Sequence, residues 1–118
     1  MTTPAAAMSG VPYTLQDAAT TGNGNALALP NSFQNHTIII KAAAGVTSGA
    51  VQIETANEYD YSGTWAPIGG GPITVVASTD LVANFVGVFN FIRARISTTI
   101  AGGATPSVTV QYTGAKSY

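Results

Sequence analysis

The chain contains no cysteine, and only 8% of its 118 residues are charged. Ordinary soluble proteins have about 25% charged residues, so this chain has little electrostatic repulsion to keep neighbours away. The lack of cysteine excludes disulfides, thiolate metal sites and thiol nucleophiles. Its four Lys and Arg residues cannot neutralise many phosphates, and they form no basic cluster for an anionic membrane. We therefore expect neither a nucleic-acid partner nor a membrane partner.

Long apolar runs and helical patterns are also missing. No segment approaches the roughly 18 apolar residues of a membrane helix, and no window of about 11 residues shows a helical stripe. The chain has instead about seven to nine short strand-like segments, roughly 8–12 residues apart, separated by Gly, Pro, Asn and Ser. This spacing predicts an all-β fold, with a single-domain antiparallel β-sandwich over residues 11–118 and jelly-roll or immunoglobulin-like wiring. Residues 1–10 have little to bury, and we expect a flexible or extended N-terminal arm.

The stretch from Gly49 to Trp65 holds the clearest strand pattern of the chain. Residues 51–55 alternate between apolar and polar side chains, which predicts a strand with one buried face. The polar residues 57–63 that follow predict a loop. Trp65 is the only tryptophan, and we expect its indole to be buried on the core with a hydrogen-bond partner for the ring nitrogen.

No catalytic constellation is evident, and we expect no enzyme activity. Glu54, Glu58 and Asp60 are candidates for a carboxylate pair, but a loop holds the required separation poorly. Asn57, Glu58 and Asp60 offer oxygens to calcium, which needs six to eight ligands, so a plain turn is favoured. His36 has no second His, no Cys and no adjacent carboxylate, which indicates a surface or hydrogen-bonding residue. Neither a metal nor a cofactor is expected.

Two pairs of side chains are candidates for binding. Arg93 and Arg95 share one side of their strand, so both should point outward. They either pair on a solvated face with a carboxylate such as Glu54, or they anchor a protein interface. Tyr59 and Tyr61 are interpreted as surface tyrosines beside a core tryptophan. The alternative is that these three aromatic residues form a platform on which sugars stack.

The order of these features resembles small β-sandwich proteins of tailed bacteriophage particles, of the capsid decoration or cement type. The resemblance spans Thr37 to Gly114. It rests on a strand VQIETA, a turn SGTW, a Gly-rich hairpin, a strand FNFIRARIS, and a last strand SVTVQYTG.

The resemblance implies a structural protein on the outer capsid surface of the virion, which binds the major capsid protein and stabilises contacts between its subunits. It also implies self-association into a homo-oligomer such as a trimer. It supplies no binding motif, so the predicted partner interface combines the arm with the two side-chain pairs: Thr2, Thr3, Pro4, Met8, Tyr59, Tyr61, Arg93 and Arg95. The alternatives are another particle component, such as a head-fibre base, neck or tail module, and a carbohydrate-binding β-sandwich module.

Overall fold

The computed structural model describes residues 7–75 and 79–116. In this part of the chain nine β-strands form and no helix does, so no helix is available that is long and apolar enough to cross a membrane. The strands are β1 (Tyr13–Ala19), β2 (Leu27–Ala28), β3 (Phe33–Ala42), β4 (Ser48–Ala56), β5 (Ala66–Pro67), β6 (Ile73–Thr74), β7 (Leu81–Val86), β8 (Phe91–Ala101) and β9 (Val108–Lys116). The predicted all-β fold is confirmed.

The strands form two antiparallel sheets. The first has the order β1-β9-β3-β7. The second has the order β2-β8-β4-β5, and β6 pairs with β4 beside β5. Apolar side chains from both sheets meet between them, as the alternating pattern of the sequence requires for a sandwich.

The strand pairing is nested. β1 pairs with β9, β2 with β8, β3 with β7, and β4 with β5 and β6. The chain therefore forms one long antiparallel ribbon, which is rolled so that successive strand pairs alternate between the two sheets. This is the wiring of a jelly roll. An immunoglobulin domain divides its strands differently between its sheets, so the structure decides between the two topologies that the sequence left open.

The core lies between the sheets and is built from β-branched and other aliphatic side chains on β3, β4, β8 and β9. β3, β8 and β9 bury every second residue over most of their length, whereas β4 also has buried residues on its outer face, such as Glu54. The fully buried aliphatic side chains are Leu15, Ile38, Ile40, Val51, Ile53, Ile92, Ile100, Val108 and Val110.

The chain before β1 lies against the sandwich from Ala7 onward. Ala7 is buried, and its N–H donates a hydrogen bond to the Ala28 carbonyl at 2.8 Å. The Gly10 N–H donates to the Gly114 carbonyl at 2.9 Å. The first six residues of the predicted arm lie outside the described residues, so the arm stays a prediction.

Candidate binding site

A charged cluster covers the outer face of the second sheet. The strand register places Glu54 of β4 opposite Arg93 of β8, next to the pair formed by Gln52 and Arg95. The Nε atoms of Arg93 and Arg95 donate to different oxygens of the Glu54 carboxylate, each at 3.0 Å. Because these side chains close over it, the Glu54 side chain is only 3% exposed. The pairing expected with Glu54 is present, but the carboxylate is buried rather than solvated.

The pKa of Glu54 reflects two opposing effects. Burial raises this pKa, because removing the carboxylate from water disfavours its charged form. Hydrogen bonds from Arg95, Gln52 and Arg93 favour the charged form, and they outweigh burial, so the pKa lies below its ordinary value of 4.5. The carboxylate is therefore ionised and locks both arginines in place at neutral pH.

Trp65 lies on this outer face and not in the core between the sheets. The indole is 3% exposed but does not belong to the main apolar cluster. The Arg93 guanidinium covers it, with Cζ 4.4 Å from the ring centroid, in a cation–π contact. Its Nε1–H donates to the Tyr61 carbonyl at 2.9 Å. The predicted burial and nitrogen partner are thus present, and the location differs because Trp65 precedes β5, which pairs along the edge of β4.

The loop between β4 and β5 carries the two predicted tyrosines. The Tyr59 ring packs against Phe91, with the ring centroids 6.4 Å apart. The Tyr61 side chain is 40% exposed and folds back over Gly63, where an added Cβ would collide with the ring. The bond from Trp65 fixes the backbone at Tyr61. The loop is therefore held in place by its own aromatic residues.

The connection between β1 and β2 faces this loop and is also anchored. Gln16 is buried, and its Nε2 atom donates to the Gly22 carbonyl at 3.0 Å and to the Ala94 carbonyl at 2.8 Å. The Asn25 N–H donates to the Leu15 carbonyl at 2.9 Å. These bonds tie the connection to β1 and β8.

The two anchored segments form the walls of an open groove with a volume of about 630 Å³. We call it the tyrosine groove. It is lined by Tyr13, Thr14, Leu15, Asn23, Gly24, Asn25, Ala26, Leu27, Tyr59, Asp60, Tyr61, Trp65 and Arg93. Tyr61 also lines a second depression of about 310 Å³, so its ring stands on the ridge between two concave surfaces.

The structure brings three of the predicted interface residues together, namely Tyr59, Tyr61 and Arg93, all of which line the tyrosine groove. Arg95 lies beside Arg93 on the outer face, but it does not line the groove.

Of the interface residues predicted in the arm, the structure describes only Met8. Met8 is exposed, and its N–H donates to the Tyr13 hydroxyl at 2.8 Å. Thr2, Thr3 and Pro4 lie outside the described residues. The partner interface stays a prediction.

Sequence reasoning missed the other wall of the groove. Tyr13 and the segment 23–26 are separated from Tyr59 by more than 30 positions, and they come close only through long-range strand pairing and the packing of the two sheets. The sole local signal was the polar turn TTGNGN, which is typical of any connection between strands.

His36 is buried near the start of β3, where it forms two hydrogen bonds. A carbonyl can only accept, so the His36 Nε2–H donates to the Gly87 carbonyl at 2.7 Å. In the neutral ring, Nδ1 then accepts from the Tyr112 hydroxyl at 2.6 Å. His36 is therefore a hydrogen-bonding residue. No cluster of three or more His, Asp or Glu side chains able to hold a metal ion occurs within residues 7–75 and 79–116.

Comparisons with known proteins bear on the fold. No protein-family model and no curated protein sequence matches this chain. Among solved structures, the crystal structure of the SPBc2 prophage-derived protein YomS is similar, with a TM-score of 0.56. The similarity covers 86% of this chain and 88% of that chain at 17% sequence identity. The chain is thus similar in fold to a prophage-derived protein along nearly its whole length.

Proposed function

We propose that this protein is a structural component of a bacteriophage particle, and specifically a decoration protein that binds the outside of the head and stabilises contacts between major capsid protein subunits. The observation that carries the proposal is the fold shared with prophage-derived YomS over most of both chains. Jelly rolls recur in viral capsid domains. The low content of charged residues is also suited to a protein that is covered by neighbours.

The edge of the first sheet at β7 offers a surface for this contact. Among the described strands, β7 pairs only with β3, in an unbroken register over six residues. Its outward side chains include Val82 and Val86, which are 61% and 80% exposed, and the exposed Val88 follows. Strand edges exposed to water usually carry charges, prolines or bulges that discourage pairing. β7 has none of these, so we propose that it is the edge that contacts the shell.

The opposite edge of the same sheet provides the contrast. β1 has two register shifts against β9, and Ala18 has a positive φ of 46°. Irregularities of this kind twist an edge and block addition of another strand. We expect β1 to stay free of partner strands.

The proposal is tested with phage heads that lack the protein, to which purified protein is added before sedimentation. We expect saturable binding to heads and a higher temperature of head rupture. Val86→Asp should weaken binding by at least about tenfold, because it buries a charge in an apolar contact. Thr14→Asp, at the exposed β1 edge of the same sheet, is the matched control and should bind normally.

Electron cryo-microscopy of the particles separates the remaining outcomes. Density on the outside of the head supports the decoration role, whereas density at the neck or tail contradicts it and leaves a different particle component. A protein that sediments as a monomer at high concentration and binds no particle protein contradicts both roles.

A further inference from the structure

We propose that the tyrosine groove is a binding site for a neutral carbohydrate chain. Two anchored loops place the exposed ring of Tyr61 and several planar polar side chains around the groove. The positive and negative charges of its lining residues cancel. This activity goes beyond the structural role on a particle and does not rest on it. The groove uses the outer face of the second sheet, whereas the proposed shell contact uses β7 of the first sheet.

The walls of the groove are held by contacts within the chain. On one wall, the Trp65 bond to the Tyr61 carbonyl fixes the aromatic loop. On the other wall, the buried Gln16 side chain joins the connection to β8 through its bond to Ala94. Walls fixed in this way lose little conformational freedom on binding, and preformed concave sites of about 300–1,000 Å³ are typical of small-molecule binding. The volume of about 630 Å³ lies within this range.

Charge compensation on this face favours a neutral ligand. The guanidinium groups of Arg93 and Arg95 contribute two positive charges. The Glu54 carboxylate lies between them, and the charged residues that line the groove itself are Arg93 and Asp60, whose charges sum to zero. Both guanidinium groups are already engaged by Glu54, so no cation remains at the floor to select a phosphate or a carboxylate.

The lining residues match the chemistry of sugars. An exposed tyrosine ring such as Tyr61 presents a flat apolar face, on which the C–H side of a sugar ring can pack. The amides of Asn23 and Asn25 each donate and accept, and the Asp60 carboxylate accepts. A sugar hydroxyl also donates and accepts, so a carbohydrate can pair with all three side chains.

A proline-rich peptide is the competing ligand, because such peptides also bind aromatic-lined grooves. Proline has no N–H, so a polyproline chain offers carbonyl acceptors without donors. It would offer no donor to the Asp60 carboxylate, so this side chain would add nothing to its binding. The polar residues of the groove therefore favour the carbohydrate.

The test measures binding of the full-length protein to an array of neutral oligosaccharides, including glucans, galactans, xylans and N-acetylated chains, with a polyproline peptide as a further probe. We expect binding to at least one class of neutral glycan. Tyr61→Ala should weaken it by about tenfold or more, which is the scale of one stacking contact. Tyr61→Phe keeps the ring and should retain binding. Val82→Ala on the first sheet is the control and should bind as the wild type does.

Thermal unfolding of each variant shows whether the fold is kept, and Asn25→Ala probes the opposite wall if Tyr61→Ala proves unstable. Asn25→Ala should also weaken glycan binding. The proposal is refuted if no neutral glycan binds, if only the polyproline peptide binds, or if folded Tyr61→Ala and Asn25→Ala bind normally. Head binding by these variants is measured separately and should be unchanged, so failure here is distinguishable from failure of the decoration role.

Discussion

The buried carboxylate of Glu54 provides the sharpest test of the structural reasoning. Glu54→Gln keeps the size and the outward position of the side chain, but it removes the negative charge that both arginines contact. A hydrogen bond to a charged group contributes about 1.5–3 kcal/mol. The Gln amide keeps one acceptor oxygen, so the bond to one arginine is lost and the bond to the other loses its charged acceptor. Arg95 is 36% exposed and recovers part of its hydration. We expect a loss of about 2–3 kcal/mol of unfolding free energy at about pH 7.

This loss should depend on pH in a defined direction. The pKa of Glu54 is lower in the folded state than its ordinary value of 4.5, so its stabilising contribution is fully present above that value. The contribution disappears as the pH falls through the lowered folded-state pKa, because both states then hold the proton. The difference in stability between wild type and Glu54→Gln should shrink towards zero over this range.

Urea unfolding of both proteins at a series of pH values measures this difference. Asp80→Asn is the control, since the Lys41–Asp80 pair spans 3.8 Å between side chains that are more than half exposed. Exposed pairs contribute about 0–1 kcal/mol. The reasoning is wrong if Glu54→Gln costs no more than Asp80→Asn, or if its cost is the same at about pH 2 as at about pH 7.

Three further predictions concern stability. Trp65→Ala should cost about 3–5 kcal/mol in urea unfolding, and Trp65→Phe should cost less, because Phe loses the indole N–H but keeps a packed aromatic ring; equal costs would contradict the contribution of ring packing. Tyr112→Phe should cost about 1–3 kcal/mol by the same measurement, since it leaves buried Nδ1 of His36 without its donor; a neutral effect would contradict that bond. Burial raises the Tyr112 pKa above its ordinary value of 10.0, so stability should fall as the pH rises above 10.0, and ultraviolet titration should show one tyrosine that ionises only on unfolding. Gly24→Ala should cost more than about 1 kcal/mol, because φ is +69° and the added Cβ would meet the Leu15 carbonyl; an unchanged unfolding midpoint would refute this.

The sequence was sufficient to predict the fold class, because alternating segments specify which side chains face inward. They do not specify which strands are neighbours, so the jelly-roll order needed the structure. β7 shows another case in which the sequence pattern is insufficient. The exposure of its residues alternates along the strand, but the outward residues Val82 and Val86 are apolar like the inward ones. The sequence therefore shows no alternation of apolar and polar residues there.

The candidate site was predictable only in part. Tyr61 was expected at the surface and Glu54 as an outward-facing residue, and both positions follow from local patterns. The burial of Glu54 does not, because the side chains that cover it come from a strand about 40 positions later. Tyr13 could not be assigned to a groove with Tyr61, since their proximity depends on how the ribbon is rolled.

The nested pairing has a consequence for how the protein is made. β9 lies between β1 and β3, and β8 lies between β2 and β4, so one of the two interior positions of each sheet is filled by a strand that is synthesised late. While residues 91–116 remain in the ribosome, the earlier strands have no central neighbours and expose the apolar faces that these strands later cover. The sheets can then be completed only after residues 91–116 have emerged, and the slow closure of such distant pairings makes the nascent chain vulnerable to aggregation.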